Sequence, residues 1–423
     1  MTRTISANSM DFSFDKLIAP ISADTFFAEY WEKRPLHISR GDTSYYDGLA
    51  TTHEIDSLIT GFSGEQGMSL SVIGSRGAET TIHEFGSGVA YEQEGVYKAF
   101  ANGSTVRIRG IQRHLPGGQA LAAGVTQHTS APVRINMYLT PRNSQGFNVH
   151  QDGHEVLVVQ IKGRKHWNVY AEPVELPNDQ LVRGRPELFG LKAGAVRYSH
   201  STDPNSEPPL MMEVVLEEGD FLYIPRGFYH AAYTTDALSM HFTIGAYTLT
   251  WHDAVLAALG DVFGASPELR RSLPAGFARG ADPADIAAHS EDVLTALRER
   301  LDASVLARAV DTLGARVVAT TAAPFQGLIE DVDQADTLGM DDPVRMRQDL
   351  LYRVDERSST KILSFNGRTV RFPDGADGVL ERIEGGAAFS ATDLPAEIPA
   401  EARLKLVRQL VKVGMLMPVE REA

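Results

Sequence analysis

Between about Arg107 and Tyr247 the chain is written in short β-rich runs, among them Val133 to Leu139, Glu155 to Ile161 and Phe221 to Ile224, separated by Gly, Pro and Asn. Such runs must pair with one another, and the breakers between them suit tight connections, so the pattern predicts an antiparallel sandwich or barrel. After Trp251 the strand signals vanish, and Leu294, Leu297, Leu301, Val305 and Leu306 recur at helical spacing within Asp292 to Leu313. Beyond about residue 340 the two types mix. Lys361 to Phe365 and Thr369 to Phe372 flank Asn366-Gly367, a hairpin signal, and Ala400 to Val413 sets Leu404, Val407, Leu410 and Val411 on one helical face. Near the N-terminus, Ser22 to Tyr30 reads as a short helix capped by Ser22 or Asp24 and ended ahead of Pro35. No internal repeat appears at a fixed period. The expected fold class is mixed α and β, with domains over 1–250, 251–340 and 341–423.

Composition removes several function classes. The chain has no cysteine, which excludes disulfides, zinc-thiolate sites, iron–sulfur clusters and thiol nucleophiles, so any metal must be held by His and carboxylate. A formal net charge of −15 argues against broad nucleic-acid binding and suits a cationic partner. No run approaches the roughly 18 apolar residues needed to span a bilayer, and Met1 to Met10 lacks the apolar stretch of a signal peptide. The expected address is the cytoplasm, with no membrane partner; Met1 and Met10 both stand as starts.

The segment Asn148-Val149-His150-Gln151-Asp152-Gly153-His154-Glu155 opens a strand-like run, and side chains two apart on a strand point the same way. His150 and Asp152 can then reach one ion, and a third ligand from a distant strand would complete a two-histidine, one-carboxylate face with open positions opposite. Alone the triplet is weak, since roughly one arises by chance in such a chain. A second segment, Gly219 to His230, runs as an apolar strand into Pro225-Arg226-Gly227, a turn that would re-aim the chain and present His230 at a rim. Its spacing resembles the second metal-binding motif of cupin barrels. His154, His166 and His241 compete for the third position but read better as core residues or neighbours of the ligands.

At these residues the sequence resembles the ribosomal oxygenases, JmjC-type protein hydroxylases. The resemblance begins at Tyr30-Trp31-Glu32-Lys33-Arg34-Pro35-Leu36 and runs through Asn136-Met137-Tyr138-Leu139-Thr140-Pro141 and Ser144-Gln145-Gly146-Phe147. It peaks at His150-Gln151-Asp152 with Gly163-Arg164-Lys165-His166-Trp167, then continues through Pro225-Arg226-Gly227 to His230, His241-Phe242-Thr243, Phe365-Asn366-Gly367-Arg368 and Leu404 to Leu416.

The resemblance implies a double-stranded β-helix (JmjC/cupin-like) catalytic domain, a helical dimerisation domain and a C-terminal winged-helix-like domain. It implies iron(II) held by His150, Asp152 and His230, with 2-oxoglutarate and O2 as cosubstrates. Lys165, fifteen positions after His150, matches the basic residue that binds the far carboxylate of 2-oxoglutarate. A dianion in a barrel needs such a fixed cation at its distal end. Thr243 could add a hydroxyl there, while Asn136 and Tyr138 would line the cavity or serve as ordinary strand residues. No general base is required beyond the metal ligands.

The implied activity is hydroxylation of a protein side chain, with arginine, histidine and ribosomal protein left open as targets. Departures bear on substrate. Gln151 stands where the family commonly has Tyr, Gly153 where it has an acidic residue, and Gly245-Ala246 where many histidine hydroxylases have Ser-Thr. The alternatives are the same chemistry on a natural-product peptide or small molecule, a non-oxygenase cupin, and an inactive scaffold. The basic residues Arg403, Lys405, Arg408 and Lys412 raise nucleic-acid binding, but the apolar stripe of their helix favours packing, as a dimer or substrate platform.

Overall fold

The computed structural model describes residues 12–62, 68–76, 79–85, 93–171, 174–177, 209–280, 282–323, 327–347, 350–355, 361–372 and 377–419. The opening residues Met1 to Met10 lie outside them. The chain forms two compact units, one of residues 1–247, 323–350 and 379–423, the other of 248–322 and 351–378. Residues 351–378 thus group with the helices of 248–322 and not with the rest of the C-terminal segment.

The first unit is built on strands β1 (Leu36–Ile38), β2 (Ser69–Arg76), β3 (Glu79–Phe85), β4 (Thr105–Arg109), β5 (Val133–Thr140), β6 (Glu155–Gly163), β7 (Lys165–Tyr170), β8 (Leu210–Leu216), β9 (Phe221–Ile224), β10 (His230–Tyr233) and β11 (Ser239–Ala246). Eight of them form one sheet in the order β1-β9-β6-β11-β5-β4-β2-β3, and three form a second in the order β10-β7-β8, every pairing antiparallel. The result is a mixed α/β, JmjC/cupin-like double-stranded β-helix.

Alternation along the strands sorts the side chains. Ile135 and Met137 of β5, Leu157 and Val159 of β6, and Phe242 and Ile244 of β11 join the core shared with helices α1 (Phe14–Ile18), α2 (Ala23–Glu29), α3 (Thr52–Thr60), α4 (Gln93–Ala101) and α5 (Pro116–Thr129). Val156 and Val158 point the other way and pack with Trp167, Val169, Leu222, Ile224 and Phe228 between the sheets. Strand β6 is therefore buried on both faces, which is why its sequence is a nearly unbroken apolar run. Polar residues on the opposite face of β5 and β11 (Tyr138, His241 and Thr243) are left facing the cavity between the sheets.

Ser22, the first of the two expected caps, starts α2 by accepting from the Thr25 amide at 3.2 Å. In the second unit, α6 (Trp251–Ala265) is followed by α7 (Pro283–Arg300) and α8 (Ala303–Thr320). The helical repeat read across Asp292 to Leu313 is therefore interrupted. The chain leaves the helix at Leu301, and the Asp302 carboxylate accepts from the Val305 amide at 2.9 Å to begin a new one, a local capping bond that overrides the apolar period. Strands β13 (Tyr352–Asp355), β14 (Lys361–Phe365) and β15 (Arg368–Phe372) form a sheet on α8, where Arg353 pairs with Asp311 and the Asn366 amide donates to the Val318 carbonyl at 3.1 Å. The expected hairpin is there, with Asn366 and Gly367 both at positive φ (43° and 69°), as a two-residue turn of this hand requires.

The remaining elements of the first unit are α9 (Leu328–Ala335), β12 (Val344–Met346), most of α10 (Asp377–Glu384), α11 (Ala400–Lys412) and β16 (Leu416–Pro418), which pairs with β12. Three basic side chains of α11 are tied down internally. Arg403 donates to the carbonyls of Ala391, Thr392 and Leu394, Arg408 to that of Leu338, and Lys412 bonds Asp336. No helix among the described residues is long and apolar enough to cross a membrane.

Candidate functional site

His150, Asp152 and His230 each offer a ligand atom within 4.8 Å of the others. The local geometry differs from the strand expected for the first two. His150 makes a single bridge to His230, exchanging two backbone hydrogen bonds of 3.0 and 2.7 Å, and the chain stays irregular until β6 begins at Glu155. Convergence of His150 and Asp152 thus comes from this bridge and from the Gly227 amide, which donates to the Asp152 carbonyl at 2.9 Å, and not from strand alternation. His154, expected to be in phase with them, is outside the cluster. Its ring lies 4.6 Å from that of Tyr247 and over Gly245, where an added Cβ would come within 3.2 Å of it.

Both histidines are oriented alike. Nδ1 of His150 donates to the Asn148 carbonyl at 2.8 Å and Nδ1 of His230 to the Phe228 carbonyl at 3.0 Å, the tautomer that leaves each Nε2 lone pair for a metal. Burial first, and then the neighbouring His150, pushes the His230 pKa down to about 4, so the ring is neutral at physiological pH. Burial alone would raise the Asp152 carboxyl, but His154, His150 and His230 outweigh it and hold the group below the usual carboxylate value. His230 is 4% exposed, so it lies inside the barrel and not at the rim its turn suggested.

The Pro225–Tyr229 turn that delivers His230 is held from below. Gly227 has φ +88°, and a Cβ there would sit 2.0 Å from the Val174 carbonyl oxygen. Arg226 pairs with Glu155 and with Glu32, while the Tyr223 hydroxyl donates to Glu155 and accepts from the Glu32 amide at 2.9 Å. Trp31 stacks on Tyr223 with ring centroids 5.9 Å apart. The Trp31-Glu32 corner thereby supports the turn that places His230 beside His150 and Asp152, with Glu32 itself at φ +58°.

From the triad a cleft leads past Val156, Trp167, Thr243 and His241 to Lys165. Lys165 follows the Gly163 turn (φ +65°) and is 3% exposed. Its Nζ donates to the Thr140 hydroxyl at 2.9 Å, and among the described residues no carboxylate pairs with it. Burial pushes its pKa down to about 7. Tyr138 and Thr243 line the cleft; burial raises the Tyr138 phenol, against the nearby Arg107. Asn136 is paired with Thr243 across β5 and β11, beside the Tyr138 hydroxyl, and is not among the lining residues.

Thr140, which holds Lys165, and Trp167 and His241, which line the cleft, contribute more to the site than their sequence context suggested. The period-two pattern through Asn136, Tyr138 and Thr140 was the available signal for the first. For His241 it was the same period through Thr243.

The JmjC domain family matches residues 113–254. Ribosomal oxygenase 1 of Danio rerio is 33% identical over 271 residues, covering 62% of this chain and 46% of that protein. The bifunctional lysine-specific demethylase and histidyl-hydroxylase NO66 of Aedes aegypti is 31% identical over 283 residues, covering 65% and 42%. The chain thus spans less than half the length of these curated relatives. Among solved structures, the Escherichia coli ribosomal oxygenase YcfD, in complex with cobalt and 2-oxoglutarate, has the same fold over 95% of this chain and 99% of its own, with a TM-score of 0.55 at 14% identity. Residues 113–254 of this chain thus match the JmjC domain, and the chain is similar in sequence to the ribosomal oxygenases.

Proposed function

We propose that this chain is an iron(II)- and 2-oxoglutarate-dependent oxygenase that hydroxylates a side chain of another protein. The observation that carries the reading is the buried Lys165 ammonium, without a carboxylate among the described residues, in the same cleft as His150, Asp152 and His230. A cation kept there without a counter-ion is the complement of an anionic ligand.

The residues fit both groups. Two imidazoles and one carboxylate, grouped at one end of the cleft, suit iron(II) with positions left open. Lys165, with Thr243 on the same wall, suits the distal carboxylate of 2-oxoglutarate. When bound, iron(II), 2-oxoglutarate and O2 supply the oxidation that places one oxygen atom on an unactivated carbon, with succinate and carbon dioxide as coproducts. The chain's own part is positional. His150, Asp152 and His230 hold the metal on one side, Lys165 fixes the cosubstrate, and Phe147, Val156 and Trp167 wall the cleft with apolar surface.

The substrate we infer is a basic segment of a protein, ribosomal proteins among them, with an arginine or histidine as target. Support comes from the net charge of −15 and from relatives whose names include ribosomal oxygenase and histidyl-hydroxylase. We infer a homodimer as well, because Trp251, Val255, Leu256 and Phe263 of α6 are exposed apolar side chains of the kind that contacts between copies cover. The test is succinate formation by purified protein with iron(II), with and without basic ribosomal-protein peptides, using Asp152→Ala as control. Peptide-stimulated turnover that the control lacks supports the proposal; failure to bind iron(II) and 2-oxoglutarate at all sinks it.

A further inference from the structure

His241 is 2% exposed, yet neither ring nitrogen makes a hydrogen bond among the described residues, and Nδ1 is wholly buried without a partner. Leaving a buried nitrogen unpaired costs stability, and native proteins seldom do so without a reason. The ring cannot swing away to find a partner. It is stacked on Tyr138 at 5.2 Å between centroids and meets Trp167 edge-on at 5.6 Å.

Its place on β11 says what the missing partner is. In the register with β5, Ser239 faces Thr140, His241 faces Tyr138 and Thr243 faces Asn136. Thr140 holds the Lys165 ammonium, so His241 stands one inward step along the pleat from that cation, toward the metal. The Trp167 indole nitrogen, on the same cavity wall, is also buried and unpartnered. Among the described residues, this corner therefore collects an ammonium without a counter-ion and two ring nitrogens without acceptors.

We propose that His241 is a second anchor for the distal carboxylate of 2-oxoglutarate, donating one N–H from a neutral imidazole beside Lys165. The inference rests on the oxygenase reading above and adds a binding residue to it. Burial and then the Lys165 charge keep the ring neutral, so it competes with the ammonium for no proton and can only share its ligand. A second donor also gives the pocket a direction, favouring a planar carboxylate over a single-point anion.

The test compares metal-loaded wild type with His241→Phe, which retains an aromatic ring against Tyr138 and removes both nitrogens. Two ligands are titrated: 2-oxoglutarate, and 2-oxovalerate, which has a methyl group in place of the distal carboxylate. The expected result is a Kd for 2-oxoglutarate about tenfold or more higher in the variant, as for loss of a hydrogen bond to a charged group. The Kd values for 2-oxovalerate and for the metal stay unchanged. An equal change for both oxoacids, or none, overturns the proposal and leaves His241 a packing residue. Should the variant not fold, zinc-loaded wild type labelled with 15N-histidine decides: 2-oxoglutarate must shift a His241 ring nitrogen that 2-oxovalerate does not, and absence of that shift also overturns it. Wild type that binds no 2-oxoglutarate at all is a different failure, of the oxygenase reading itself.

Discussion

The Nε of Arg226 lies 3.4 Å from Oε1 of Glu155 inside the protein, joining the turn that leads to His230 to the strand that follows His150 and Asp152. Glu155 is fully buried, and burial pushes its pKa up to about 7 against the pull of Tyr223 and Arg226. Arg226→Met removes the guanidinium and leaves both Glu155 and Glu32 without it. Breaking a buried pair from one side costs about 3–5 kcal/mol. The sign with pH follows from linkage. Without Arg226 the folded-state pKa of Glu155 rises further above its unfolded value, so the variant loses stability as pH climbs through that range. Urea unfolding at pH 6 and pH 8 is expected to show the larger deficit at pH 8; equal deficits would mean that Glu155 does not titrate as described.

Lys165→Ala removes the ammonium at the far end of the cleft. If it binds 2-oxoglutarate, the Kd should rise by roughly two orders of magnitude or more, corresponding to about 2–5 kcal/mol for truncating one side of a buried charge pair. Calorimetry on metal-loaded protein measures this, and unchanged affinity removes Lys165 from the site.

The same residue makes binding depend on pH. Burial pushes the Lys165 pKa down to about 7, so above that value it must take up a proton to pair with a carboxylate. Affinity is then expected to weaken by up to about tenfold per pH unit above 7, with proton uptake visible as a dependence of the binding enthalpy on buffer. A flat profile from pH 7 to 9 would show that the ammonium is charged before 2-oxoglutarate is added.

Replacing His150 or Asp152 with Ala should abolish metal binding while leaving the fold near intact, since neither side chain belongs to the apolar clusters that hold the sheets and helices together. The loss should exceed the roughly 10–100-fold that outer-shell partners contribute to metal sites. Metal titration alongside thermal unfolding separates the two effects, and a collapse of the melting transition would assign these residues a structural part.

Gly227→Ala tests the turn itself. The new Cβ would meet the Val174 carbonyl oxygen at 2.0 Å on a backbone at φ +88°, so either the turn or the Val174 segment must move. Strained positions of this kind cost on the order of 1–3 kcal/mol. Metal affinity should fall as well, because the Gly227 amide also holds the Asp152 carbonyl. A variant with normal metal affinity would separate the turn from the site.

The sequence by itself determined the elements and the chemistry they carry. Short β-rich runs bounded by Gly, Pro and Asn specified β5, β6 and β9, the Asn366-Gly367 pair specified its hairpin, Ser22 specified a helix start, and the ordered motifs from Trp31 to Thr243 pointed to the family. These are local or linear properties, decided by backbone preferences and by the order of side chains along the chain. Only the tertiary structure decided how the site is assembled. His150 and Asp152 converge through a backbone bridge to His230, eighty residues away in sequence, where strand alternation had seemed sufficient. Helix α7 ends at Arg300 because Asp302 caps the next helix, although the apolar spacing runs on. In sequence His241 reads as a core residue or a neighbour of the ligands; that its buried ring lacks a hydrogen bond among the described residues emerges only when β5, β7 and β11 close around it. Burial, desolvation and the absence of a partner belong to the space between strands, and a linear pattern carries no record of what fills that space.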